Sequence, residues 1–167
     1  EGFTAARYAE PRKADYHQRL RQLTHRLAQG VRDSFPGCRT RVCVDTAPLL
    51  ERSFAQASGI GCLGKNNMLI VPGRGSFVFL SEVLTTAMIP PPEPIARVDV
   101  CSDCTRCLDA CPTGALHAPY RVDASRCLSY LTIESRNKPG RTAARRMGDC
   151  FLGCDACQEA CPPLPGP

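Results

Sequence analysis

Apolar positions in the first third of the chain recur at helical spacing: Tyr16, Leu20, Leu23 and Leu27 lie 4, 3 and 4 residues apart, with arginines between them. This periodicity predicts an amphipathic helix over residues 12–29 that buries these side chains and stops at Gly30. In "RTRVCVDTAP", Val42 and Val44 alternate with Arg41 and Cys43, which predicts a short strand ending at Asp45 ahead of Pro48. "PLLERSFAQAS" reads as a helix opened by Pro48 and closed by Gly59. Two further strands, "NMLIV" and "SFVFLSEVL", are expected on either side of the turn "PGRG". The prolines of "MIPPPEPIARV" cannot sustain a helix or an interior strand, so residues 88–98 read as an extended connector. The expected organisation is a mixed α/β part over 1–87, the connector over 88–98, and a cysteine-rich part over 99–167.

With 167 residues, 43% of them hydrophobic, the chain has apolar material enough for a core. No run reaches the roughly 18 apolar residues of a membrane span, and the start lacks the layout of a signal peptide. The chain begins without Met and stops just after its last cysteine motif, which suggests a piece of a longer protein. Net charge is +5, and Arg136, Lys138, Arg141, Arg145 and Arg146 cluster in a stretch without acids. Such a stretch is either a solvated basic face or a contact for phosphates.

The twelve cysteines change the picture most. Disulfide scaffolds usually replace a missing core, which this chain does not lack. Zinc accounts for paired C-x-x-C motifs but has no use for a third cysteine at the same spacing or for a proline after a fourth. "CSDCTRCLDACP" and "CDACQEACP" instead follow the bacterial ferredoxin run, in which three thiolates wrap one cubane and the cysteine before proline ligates the other. The spacing predicts one [4Fe-4S] cluster on Cys101, Cys104, Cys107 and Cys161, and a second on Cys111, Cys154 and Cys157. Cys127 and Cys150 are candidates for the second cluster's remaining ligand; Cys127 is preferred, because C-x-x-x-C is an unusual cubane spacing. Cys38, Cys43 and Cys62 read as small, partly buried hydrophobes.

Two segments of the first part have a structural and a functional reading. "GIGCLGKNN" is not a nucleotide phosphate loop, since Asn66 stands where Ser or Thr would hold magnesium. It is either a tight turn or a place where Gly61 and Gly64 admit a large planar ligand while Lys65 and Asn66 donate hydrogen bonds. Asp45 is either a turn residue or, in a desolvating cavity, a proton donor.

Taken together, "ARYAEPRKADYHQRL", "VDTAPLLERSFAQASGIGCLGKNNMLI", "GSFVFLSEVLTT", "CSDCTRCLDACPTGALHAPYRVDASRCLSYLTIES" and "GCDACQEACP" resemble epoxyqueuosine reductase, in that family's order and over nearly the whole chain. The resemblance implies an α+β fold: a cobalamin-binding α/β part similar to reductive dehalogenases, then a ferredoxin-like domain with two [4Fe-4S] clusters. It implies reduction of epoxyqueuosine to queuosine in tRNA, with electrons passing from an external donor through the clusters to cobalamin. Asp45 is the implied proton donor. Asn66, Leu69, Phe79, Leu80, Ser129 and Asp155 are the implied cobalamin contacts, and the basic stretch becomes a contact for tRNA. A cytoplasmic, monomeric protein with no membrane association is expected. Cys62 departs from the family, which commonly has an aromatic residue there; the family's opening segment and its C-terminal helical-repeat extension are absent. Another corrin-dependent reductase, such as a dehalogenase, would share the cofactors but usually relies on Tyr with Lys or Arg; a two-cluster electron-transfer subunit would lack the corrin.

Overall fold

A computed structural model describes residues 2–9, 15–91 and 100–162. Most of the expected connector, the first residues of the expected opening helix and the last prolines lie outside these. The described elements alternate helix and sheet, as expected for a mixed fold.

In the first part, strand β2 (Thr40–Cys43) pairs antiparallel with β5 (Glu82–Thr85), with Cys43 opposite Glu82. Helix α1 (Tyr16–Ser34) lies on this pair. Its buried residues are Thr24 and Ala28, whereas Leu23 and Leu27 are exposed, contrary to the apolar spacing. Two strands form a narrow platform, and small side chains let the helix approach it; the Thr24 hydroxyl bonds the Leu20 carbonyl and the Ser81 hydroxyl, both at 2.7 Å. The helix also runs past Gly30. Nothing lies near that position, and an exposed helical glycine costs only about 0.5–1 kcal/mol. Beyond it Arg32 bonds the Thr40 hydroxyl, and the Phe35 N–H bonds the Val31 carbonyl before Pro36 and Gly37 end the helix.

Helix α2 (Glu51–Ala57) begins three residues after Pro48, because the chain first turns sharply, with Thr46 N–H bonding the Val44 carbonyl. It ends as expected before Gly59, at φ 75°. The glycine-rich segment contains a strand the sequence did not reveal: β3 (Cys62–Leu63) pairs with β4 (Leu69–Ile70), which is all that forms of the "NMLIV" strand. "PGRG" makes its turn, bridged by Val71 and Gly75. Of "SFVFLSEVL", only the end from Glu82 onward finds a partner strand among the described residues; β2 is four residues long and has no more to offer. Cys43 is buried and Cys38 and Cys62 partly so, as expected.

In the second part, α3 (Arg106–Asp109) packs against α6 (Ala156–Glu159). Between them come the hairpin of β6 (Leu116–Ala118) and β7 (Arg121–Val122), then α4 (Leu128–Ile133), α5 (Arg141–Met147) and β8 (Cys150–Leu152). The opening strand β1 (Thr4–Ala5) pairs in parallel with β8, so the start of the chain belongs physically with the cysteine-rich part.

Gly61 explains the tight β3–β4 approach: a Cβ there would sit 2.4 Å from the Ile70 carbonyl oxygen. Gly61→Ala is therefore expected to lower the denaturation midpoint. Gly30→Ala, in open helix surface, is expected to raise stability by about 0.5–1 kcal/mol. Chemical denaturation of the two variants tests both the register and the helix extension.

Candidate iron–sulfur and cofactor site

Each cysteine run wraps a turn, enters one turn of helix and leaves through a cysteine followed by proline. Packing α3 on α6 brings the two runs together. Cys107 is buried, and its thiol is pushed up by burial and by the nearby sulfurs of Cys101, Cys161 and Cys104. Cys161 in turn feels burial, then Cys101 and Cys104. Cys157 is pushed up to about 12 by burial and then by Cys154 and Cys127, with Cys107 and Cys111 farther down the order. Cys154 feels burial, then Cys150, Cys127 and Cys111. Neighbouring sulfurs thus act on these thiols across the two runs, with Cys161 of the second run felt at Cys107 of the first. Cys150 acts on Cys154 as well, and its own thiol donates to the Gly153 carbonyl at 2.6 Å. Among the described residues no three such side chains close on one point as a single ion would require. A cubane asks instead for one thiolate at each of four separated irons.

The glycine-rich loop reaches this region directly. Lys65 N–H donates to the Cys101 sulfur at 3.4 Å, and Lys65 Nζ donates to the carbonyls of Ser102 and Cys104, the latter at 3.1 Å. Asn66 is buried and donates to the Cys157 carbonyl at 3.1 Å, while its Oδ1 accepts the Met68 N–H. Lys65 and Asn66 therefore tie both cysteine turns to the first part. Gly64 has an equally internal reason, since a Cβ would meet the Ile70 side chain at 2.6 Å. Leu69 is buried in the core.

Residues 2–9 make a second tie. Arg7 N–H donates to Asp155 Oδ2 at 2.8 Å, its guanidinium pairs with Glu159 at 3.1 Å, and the same group lies 4.3 Å over the Phe77 ring. Tyr8 is pushed up by partial burial and then by Glu134, Asp155 and Asp45, so acids from both parts converge around its phenol.

Asp45 lies on this face with φ 56°, its side chain 56% exposed. The desolvating cavity that a proton donor needs is not closed around it by these residues. Two partners were missed in the sequence: Asp45 Oδ2 lies 3.2 Å from His17 Nε2 and 3.5 Å from the Tyr16 hydroxyl. His17 also bonds Asp15 at 2.8 Å, and its hydrogen bonds to Asp15 and Asp45 push its pKa up, favouring the imidazolium. Tyr16 is pushed up to about 12, by burial first and then by Asp45. Its ring stacks on half-exposed Phe79 at 4.2 Å. Only the helical spacing of Tyr16 was legible in the sequence.

The Ser76 hydroxyl, at the head of the 76–80 segment, is buried without a hydrogen-bond partner. Leu80 and Ser129 are partly exposed; Ser129 lies in the first turn of α4, directly after Cys127. The basic helix α5 presents Arg141 and Arg145 to solvent, while Arg146 bonds the Thr113 carbonyl at 3.3 Å. A cavity of about 560 Å³ is lined by Arg52, His117, Tyr120 and Arg121 among others.

Residues 100–163 match the family model of the 4Fe-4S double cluster binding domain. Over most of its length the chain is similar to epoxyqueuosine reductases. The chain is 43% identical to the epoxyqueuosine reductase of Synechococcus sp. (strain RCC307), over 94% of this chain and 47% of that protein. It aligns at a TM-score of 0.80 and 40% identity with a crystal structure of epoxyqueuosine reductase with an epoxyqueuosine-modified tRNA-Tyr stem loop, covering 88% of this chain and 38% of that one. A Bacillus subtilis epoxyqueuosine reductase, with its catalytic aspartate loop swung out of the active site, aligns at 0.79 and 37% identity, covering 88% and 38%. The chain spans about half the length of the curated relatives it matches.

Cys127 and Cys150 are separated by experiment. Cys127→Ser is expected to lower bound iron by about four atoms per chain, and Cys150→Ser to leave it unchanged. Elemental analysis of anaerobically purified protein checks this; the reverse pattern would transfer the ligand role to Cys150.

Proposed function

We propose that this chain is the cofactor-bearing part of an enzyme that reduces epoxyqueuosine in tRNA to queuosine. The observation that supports the reading is a cysteine-rich second part that matches a 4Fe-4S double cluster binding domain, joined to a first part whose Asp45 carboxylate meets His17 and Tyr16, in a chain similar to epoxyqueuosine reductases over 94% of its length. In this reading Cys101, Cys104, Cys107 and Cys161 hold one [4Fe-4S] cluster and Cys111, Cys127, Cys154 and Cys157 the other. The division into 1–87, 88–98 and 99–167 then separates substrate chemistry from electron storage, with Lys65 and Asn66 joining the two.

The residues present fit a corrin. Phe79 and Leu80 offer an apolar surface, Ser129 and Asp155 lie on the cluster side, and the unpartnered Ser76 hydroxyl is free to bond a ligand. Asn66 and Leu69 act by fixing the loop beneath, since the Asn66 amide is already bonded inside the protein. Cobalamin, when bound, supplies a metal centre able to collect two electrons that the clusters deliver singly.

Conversion of an epoxide to an alkene takes two electrons and two protons and releases water. The protein's part is to exclude solvent and deliver a proton to the departing oxygen. Asp45 carries that proton, and His17, with Nε2 beside the Asp45 carboxylate, stands where it can replace it. The remainder of the cavity, including the desolvation of Asp45, is completed by the bound corrin and nucleoside. The exposed arginines of α5 and the cavity of Arg52, His117 and Arg121 suit the phosphates of an RNA stem loop. An external reductant supplies the electrons. No helix among the described residues is long and apolar enough to cross a membrane; the proposed tRNA substrate suits a cytoplasmic enzyme.

Asp45→Asn in the full-length, cofactor-loaded protein is expected to lower the rate of epoxide reduction by about 10²–10⁴-fold while leaving iron content unchanged. Mass spectrometry of nucleosides from epoxyqueuosine-containing tRNA reads the outcome. An unimpaired variant would remove Asp45 from the chemistry.

A further inference from the structure

The loop that carries Asp45 is held from beneath by acids that nothing above has used. Asp45 adopts φ 56°, a conformation that residues other than glycine enter only when their surroundings hold them there. Its backbone N–H donates at 3.0 Å to Glu51 Oε1, from the first residue of α2. Glu51 in turn meets Glu82, which stands on β5 directly opposite Cys43, two residues before Asp45. One oxygen of Glu82, Oε2, is buried without a hydrogen-bond donor among the described residues.

Two carboxyl groups in contact cannot both be charged without strong repulsion, so a hydrogen bond between them requires a proton. We propose that Glu51 and Glu82 share one proton and form a latch that positions Asp45: Glu82 donates to Glu51, and Glu51, kept anionic, receives the Asp45 N–H. Both are positioning residues, because neither touches the reacting atoms. The role in catalysis rests on the reading of Asp45 as proton donor; the latch itself rests on the Asp45–Glu51 hydrogen bond, the buried Oε2 of Glu82 and the pressure of Glu51 on the Glu82 carboxyl.

The surroundings favour a neutral Glu82. Burial, then Glu51, push it from its ordinary range up to about 7. From β2 the group facing it is the Cys43 thiol; from α1, Tyr16 and His17 face Asp45; from α2 comes Glu51; no cation acts on Glu82 among the described residues. The sign follows. A carboxyl raised in the folded state is best tolerated below its ordinary value, and the fold loses stability as pH climbs from there to about 7. Above that window both carboxylates are charged, they separate, and Asp45 loses its anchor.

The test uses full-length, cluster-loaded protein with carbon-13 in the glutamate carboxyls and nitrogen-15 in the backbone. Over a titration from acid to mildly alkaline pH, the Glu82 carboxyl is expected to ionise near 7, and the Asp45 amide proton to shift with the same midpoint. Glu82→Gln, which keeps a donor to Glu51 but cannot titrate, is expected to abolish that shift and hold the amide in its hydrogen-bonded position throughout. A Glu82 that ionises in the ordinary carboxylate range, or an Asp45 amide that ignores it, overturns the latch, and the wild-type titration decides this even if the variant fails to fold. Epoxide reduction by the same proteins separates the two readings. A coupled titration in a protein without that activity leaves the latch standing and removes the assigned reaction, while an active enzyme with uncoupled groups does the reverse.

Discussion

The packing of α3 against α6 is the contact on which the other arrangements depend. Each of these four-residue helices is too short to be stable alone. Each is instead fixed by the cysteine turn before it and the Cys-Pro after it. Burial and neighbouring sulfurs push the thiols of Cys107, Cys154, Cys157 and Cys161 up, while hydrogen bonds outweigh burial and hold Cys111 down. An iron–sulfur cluster, when bound, would remove the cost at the raised thiols, because binding takes the place of their protons.

Everything else reaches toward this centre. Lys65 and Asn66 bond the backbone of both cysteine turns, and β1 with Arg7 and Tyr8 closes over the side of α6. A chain that reads as two parts is therefore joined through its first residues and through one loop in its middle. The result sets Asp45 of the first part and Asp155 and Glu134 of the second around one tyrosine. In the proposed reading this brings a proton donor toward the electron store that a reductive deoxygenation requires.

Spacing made the iron–sulfur character of residues 100–163 legible, because a cubane imposes its geometry on a few consecutive residues. Strand β2 and the end of α2 at Gly59 were legible for the same reason: their signals are local. The buried face of α1 was not. Leu23 and Leu27 carry the apolar period, but a two-stranded platform accepts Thr24 and Ala28, and only the tertiary partner reveals that. Nor could any pattern show that Gly61 and Gly64 serve a tight hairpin against Ile70 rather than a ligand. Tyr16, His17, Glu51 and Glu82 are distant in sequence from Asp45 or look like ordinary surface residues, and the fold alone gathers them.

The central claim, that this cluster-bearing unit works with a corrin, is tested most directly by metal content. Full-length protein, purified without oxygen and supplied with cobalamin, is predicted to contain about eight irons and about one cobalt per chain. Eight irons without cobalt would contradict the claim, leaving a two-cluster electron relay in which Asp45 is a turn residue.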